Sequence, residues 1–177
     1  LNDPKRISWS WLLRERFGKK LSAEFDARRI RISSHRPFTK AWLYYDGFFN
    51  ENRYLMPSIF PDLATVKNRV IMVKQRWDGQ GNLALMLDAI PALQTDGGDQ
   101  SFPRYLVEPS GGKNGKDDLF RNASSTESTE ANVRDAITDD ALNRFLAAYP
   151  GQAISKDDIF HYVYGMLHSE DYLDQYN

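Results

Sequence analysis

Four consecutive apolar residues, Val70, Ile71, Met72 and Val73, constrain this chain more than any other feature. A run without polar alternation is the pattern of a strand covered on both faces. The segment Asn68–Trp77 is therefore read as the clearest strand, held inside a layered domain. A chain of 177 residues is long enough to bury such a layer, as one domain or one domain with a small appendage.

The neighbouring patterns are mostly those of strands as well. Arg29 and Arg31 alternate with Ile30 and Ile32 over 27–34, and this period of two predicts a strand with one apolar and one guanidinium face. Pro37 removes a backbone donor and drives His35–Arg36 toward extended geometry. Ala41–Tyr45 is a β-rich run that ends at the Asp46-Gly47 turn signal, with Trp42, Tyr44 and Tyr45 as core candidates. Residues 83–90 fit either a strand or a helix and are read as a strand because their neighbours are strands; Phe102–Val107 is another short strand, with Pro103 near its start or on an edge. Short helices are expected over about 8–17, with Ile7, Trp11, Leu12 and Phe17 on one face, and from near Pro57.

Residues 109–134 change character, with Gly, Ser, Thr, Asn and charge in place of bulk. Two helices follow. Thr138 is the expected N-cap of 139–149, and Ser155 with Asp158 forms a capping-box variant. Ile159, Tyr162, Val163, Met166 and Leu167 make a helical apolar stripe. The fold class implied is α+β. A mixed, mostly antiparallel β-sheet lobe with flanking helices covers 1–108, a flexible linker or long loop covers 109–134, and a C-terminal helical segment covers 135–177. That segment is expected to pack on the lobe or on a neighbouring domain.

The net charge of −1 hides an asymmetry: residues 1–78 carry 16 Lys/Arg against 8 Asp/Glu, and residues 79–177 carry 7 against 16. A basic half beside an acidic half points to a polyanion-facing part and a part facing water or another protein. Cysteine is absent, which excludes disulfides and thiolate metal sites and fits a reducing cytoplasm. No apolar run reaches the roughly 18–20 residues of a membrane span. The sequence starts at Leu1 rather than at a methionine, so it is expected to belong to a longer protein.

Catalytic spacings do not emerge. Gly111–Lys116 superficially resembles a phosphate loop, but Ser110 stands where the first Gly is needed and Asp117 follows Lys116 where Ser or Thr is needed. His161 and His168 are seven apart, too far for ligands on adjacent helical turns, and each has an ordinary structural reading: a packed or boundary residue, and a C-terminal cap. No cofactor is expected on this chain. What remains is arginine, lysine and aromatic residues on β structure. Arg29, Arg31, Arg36, Lys40, Arg53, Arg69, Lys74 and Arg76 are the candidates for a nucleic-acid surface, since guanidinium and ammonium groups meet phosphates and base edges.

The ordered series His35-Arg36-Pro37-Phe38, Trp42-Leu43-Tyr44-Tyr45, Arg53-Tyr54-Leu55-Met56 and Asn68-Arg69-Val70-Ile71 resembles the C-terminal region of single-polypeptide (Type ISP) restriction–modification enzymes. The stretch from Asp88 through Gly97-Gly98 to Phe102-Pro103-Arg104-Tyr105-Leu106 and the stretch from Asp157 to Ser169 extend the resemblance over about 35–177. Thr39 departs from it, standing where an acidic residue commonly follows Arg-Pro-Phe. The resemblance implies a bacterial, cytoplasmic DNA target-recognition domain that binds double-stranded DNA and is not itself an enzyme. It also implies preceding helicase-type translocase, nuclease and adenine-methyltransferase domains that use S-adenosylmethionine, ATP and magnesium. On this view Pro37, Phe38, Trp42 and Tyr44 frame the lobe, Arg36 serves scaffold or phosphate, and loops 47–53 and 74–82 read bases. The competing reading is a docking module that couples methyltransferase and translocase domains. An independent hydrolase is the third reading, with no visible constellation behind it.

Overall fold

The computed structural model describes residues 9–36, 38–50, 53–61, 66–75, 82–91, 100–108 and 132–176. Its elements in chain order are α1 (Trp11–Gly18), β1 (Ile30–Arg36), β2 (Thr39–Tyr44), α2 (Met56–Ile59), β3 (Val70–Gln75), β4 (Asn82–Leu87), β5 (Ile90–Pro91), β6 (Gln100–Pro103), β7 (Tyr105–Glu108), β8 (Asn132–Asp135), α3 (Asp139–Ala148), α4 (Lys156–Met166) and α5 (Glu170–Tyr176). They form an α+β fold with three small sheets, in orders β2-β1-β5, β4-β3-β6 and β7-β8. Every pairing is antiparallel except the short β1–β5 contact.

The apolar run behaves as its sequence demands. β3 is a central strand between β4 and β6, and Val70, Ile71 and Met72 are buried. Tyr45, Ile59, Phe60, Val70 and Ile90 form the core, with Leu43, Met56, Leu87 and Leu106 packed against it. Each such side chain contributes on the order of 1.5–3 kcal/mol by leaving water. The expected core role of Tyr45 therefore holds, and β1 and β2 are joined to the core through it.

Asn68 organises the junction beside this core. Its buried Nδ2 donates to the carbonyls of Ile59 (2.9 Å) and Tyr105 (2.8 Å), and its Oδ1 accepts from the amides of Arg69 (2.8 Å) and Tyr105 (3.1 Å). One side chain thus occupies both backbone groups of Tyr105. That is why the expected strand Phe102–Val107 is two strands: β6 pairs with β3, the chain turns at Arg104, and β7 pairs with β8. Pro103 has no amide to extend the first ladder. β8 also shortens the expected linker, because Asn132–Arg134 belongs to a strand. The residues 109–131 lie outside the described set.

At the helical end both caps are as expected. The Thr138 hydroxyl accepts from the Ala141 amide, and Ser155 with Asp158 closes a reciprocal capping box. The stripe on α4 is only partly core. Ile159 and Phe160 are buried, whereas Tyr162, Val163 and Met166 are exposed, because α4 enters the core with its first turn only. Phe145 of α3 meets Tyr162 edge to face at 5.7 Å. The third helix, α5, was not expected. It starts at Ser169, whose hydroxyl accepts from the Tyr172 amide, with Glu170 and Asp171 in its first turn.

Candidate nucleic-acid interface

The β1–β2 hairpin and its approach, residues 27–45, carry Arg28, Arg29, Arg31, Arg36 and Lys40 and no carboxylate. The period of two in β1 is real, but its faces are the reverse of the simple expectation. Arg29 Nη1 pairs with Asp46 Oδ2 at 2.5 Å, and both side chains are largely buried. Arg31 Nη1 donates to the Pro61 carbonyl at 2.8 Å. The guanidiniums therefore turn inward to fixed acceptors, and Ile30 and Ile32 turn outward. Trp42 and Phe38, expected in the frame of the lobe, are 74% and 90% exposed. Phe38 sits at the hairpin turn with φ of 66°, a left-handed conformation that costs energy for an aromatic residue.

The corner after β2 is fixed from within. Asp46 Oδ1 accepts from the Phe48 amide at 2.6 Å, and the Asp46 amide donates to Asn50 Oδ1 at 2.9 Å. Arg16 of α1 donates to the carbonyls of Gly47 and Phe48. Arg53 lies 5.0 Å over the Tyr45 ring and so close to Gly47 that a Cβ there would meet Nη2 at 2.7 Å. A side chain at position 47 would displace the Arg53 guanidinium from this place. The cation of loop 47–53, Arg53, is thus engaged by a ring, and the loop's backbone carbonyls are engaged by Arg16.

The candidates divide accordingly. Lys40 is exposed and meets Asp88 at 3.2 Å, a surface pair of little strength that a phosphate can replace. Arg69 is exposed, and its Nη1 is 3.3 Å from His161 Nε2. His161 Nδ1 faces the Asp157 carbonyl at 2.8 Å, so Nδ1 carries the proton and Nε2 accepts from Arg69. Lys74 is buried within β3, at 5% exposure. Arg29 is held in its ion pair with Asp46. The side chain of Arg36, all of Arg76 and Pro37, and most of loop 74–82 lie outside the described residues, as does Gly111–Lys116.

Sequence reasoning missed Arg104. Its side chain is 9% exposed, its Nε donates to Asp157 and its Nη1 to Asp135, and its guanidinium carbon lies 4.3 Å over the Tyr105 ring. Lys156 Nζ adds contacts to Asp135 at 3.2 Å and Asp139 at 2.6 Å. Two cations and three carboxylates thereby tie the β6–β7 corner, β8 and the starts of α3 and α4 together. The hydrogen bond from Arg104, then that from Lys156, hold the Asp135 carboxyl below its ordinary range. Asp139 raises the Lys156 ammonium above its own. The available signal was an arginine after a strand-ending proline, followed by carboxylates at two helix starts.

An open apolar groove of about 1080 Å³ runs between α2, β6 and α3–α4, lined by residues such as Met56, Phe102, Leu106, Phe145 and Val163. Among the described residues that line it there is no Asp, Glu, His, Lys or Arg. Among the described residues no cluster of His, Asp or Glu is arranged to hold a metal ion, and no helix is long and apolar enough to cross a membrane.

The described residues form a mostly antiparallel, cation-bearing lobe with a clamped helical end. The chain belongs to the Type ISP C-terminal specificity domain family, whose model matches residues 1–177. It is also similar to three solved structures at 27% identity each. The ATP-dependent Type ISP restriction–modification enzyme LlaBIII bound to DNA matches with a TM-score of 0.70 over 95% of this chain and 10% of that one. The DrdV–DNA complex matches with 0.76 over 98% and 15%. A nuclease-deletion mutant of the Type ISP enzyme LlaGI with a DNA substrate mimic matches with 0.67 over 99% and 13%. The chain thus spans about a tenth to a seventh of these relatives. No curated protein matches it.

Proposed function

We propose that this chain reads the DNA target for a Type ISP restriction–modification polypeptide. The observation that carries the reading is the match of a specificity-domain family over the whole chain. Its DNA-bound structural relatives support a duplex as the partner. The chain supplies recognition and no catalytic step. Adenine methylation, ATP-driven translocation and cleavage, with S-adenosylmethionine, ATP and magnesium, belong to other domains of the same cytoplasmic polypeptide. Lys40 and Arg69, with Arg36 and Arg76, are the residues assigned to phosphates or base edges. Arg31 holds the Pro61 carbonyl, Arg53 lies over the Tyr45 ring, and Arg29 holds the hairpin to Asp46.

The test is DNA binding by the intact polypeptide as a function of salt. Affinity for duplexes containing the target is expected to fall steeply between about 50 and 200 mM salt, since each neutralised phosphate releases counterions. Retention of full target affinity after deletion of this domain would remove the reading.

A further inference from the structure

The outward face of the β1–β2 hairpin is apolar where a free sheet face is polar. The antiparallel register sets Ile30 opposite Tyr44 and Ile32 opposite Trp42. This row points away from the core: Ile30 and Ile32 are exposed by 42% and 43%, and Trp42 by far more. Phe25, itself exposed, stacks on Tyr44 at 5.6 Å and extends the row, and Phe38 stands at the hairpin tip. The opposite face of the same strands is engaged near the base of the hairpin. Ser33 Oγ donates to the Ile90 carbonyl, Arg31 reaches the Pro61 carbonyl, and Leu43 packs on the core. The strands cannot be turned over to hide the row.

We infer that this face is the seat of another domain of the same polypeptide, which covers Ile30, Ile32, Trp42 and Phe38 with an apolar surface of its own. Two observations choose this occupant. The relatives are several times longer than this chain, which covers 10%, 15% and 13% of them, so a tethered partner is at hand. The chemistry of the row is that of a permanent protein interface: β-branched and aromatic residues at its centre, with charge only at its rim. DNA-binding surfaces are more polar and strongly cationic. Here the rim cation Arg28 is itself paired with Asp26. The inference rests on family membership and is independent of the DNA-reading role.

Hydroxyl-radical footprinting of the intact polypeptide tests it, with rates at Trp42 and Phe38 corrected for intrinsic reactivity and compared with buried Tyr45. The expected result is loss of labelling at both residues, down to the rate of Tyr45, without DNA and at every protein concentration. Rapid labelling with and without duplex DNA overturns the inference, because the face is then open. Labelling lost only when DNA is added overturns it too and gives the face to nucleic acid. Labelling lost only as protein concentration rises overturns it in favour of a second copy. Loss of labelling in a polypeptide that binds no DNA leaves this inference standing and removes the DNA-reading role.

Discussion

Arg104 and Asp135, 31 residues apart in sequence, meet where the chain leaves one sheet for another, and the guanidinium donates through Nη1 to the carboxylate. The same guanidinium holds Asp157 through Nε. The corner between β6 and β7 is thereby also the anchor of the helical end.

Arg104→Met removes the shared cation, which takes this partner from Asp157 and leaves Asp135 with Lys156. The expected cost is about 3 kcal/mol, the low end for breaking a buried pair, because both carboxylates keep some water. Chemical denaturation reads the loss, and limited proteolysis is expected to cut near 132–138 first. An unchanged midpoint would mean that the clasp contributes nothing. Arg104→Lys keeps the charge but only one direction of bonding, and is expected to fall between the two.

The clasp also sets an acid limit. Asp135 has a folded pKa below its ordinary value of 3.8, so its contribution is fully present above that value and is lost as pH falls through the depressed one. Asp135→Asn is therefore expected to lower the melting temperature at pH 7, with the gap closing as pH drops below 3.8. A gap that stays constant through that window would detach Asp135 from acid stability. Lys156, raised above 10.5, keeps its contribution while its carboxylate partners stay ionised and loses it as pH rises through its raised value.

Asn68→Ala removes four hydrogen bonds and leaves the Ile59 carbonyl and both backbone groups of Tyr105 without this partner. Unsatisfied buried groups cost about 1–3 kcal/mol each, so this variant is expected to be among the least stable single alanine changes in the lobe. Asn68→Asp keeps the two acceptor contacts but sets a carboxylate against two carbonyls, and is expected to be no better. Urea midpoints near the parent value for either variant would contradict the role given to Asn68.

Lys40 and Arg29 separate surface contact from scaffold. In the intact polypeptide Lys40→Ala is expected to leave the melting temperature unchanged, weaken DNA binding and lower the salt slope by about one. Arg29→Ala strands the buried Asp46 carboxylate, so its expected effect is on stability, by about 3 kcal/mol. An unchanged salt slope for Lys40→Ala would take that side chain off the phosphate backbone.

Features decided by neighbours in sequence were legible. The capping box of Ser155 and Asp158 needs four residues, and the burial of Val70–Met72 follows from the run itself. Features decided by distant partners were not. Alternation in 29–32 gives the two faces of β1 but not which one points inward; Asp46 and the Pro61 carbonyl decide that by accepting the guanidiniums. Trp42 follows the outward face and leaves the core. Phe102–Val107 reads as one strand until Asn68, 37 residues from Tyr105, takes the backbone groups that would continue the ladder. The resemblance in sequence reached the family, and the candidate cations needed the structure to divide them.

Exchanging this domain for its counterpart from a Type ISP enzyme of different target, and sequencing the adenines methylated by the chimera, tests the central claim most directly. Methylation at the donor's target, with the recipient's target unmodified, is the predicted result. A chimera that methylates the recipient's original target would contradict it and place sequence reading outside this chain.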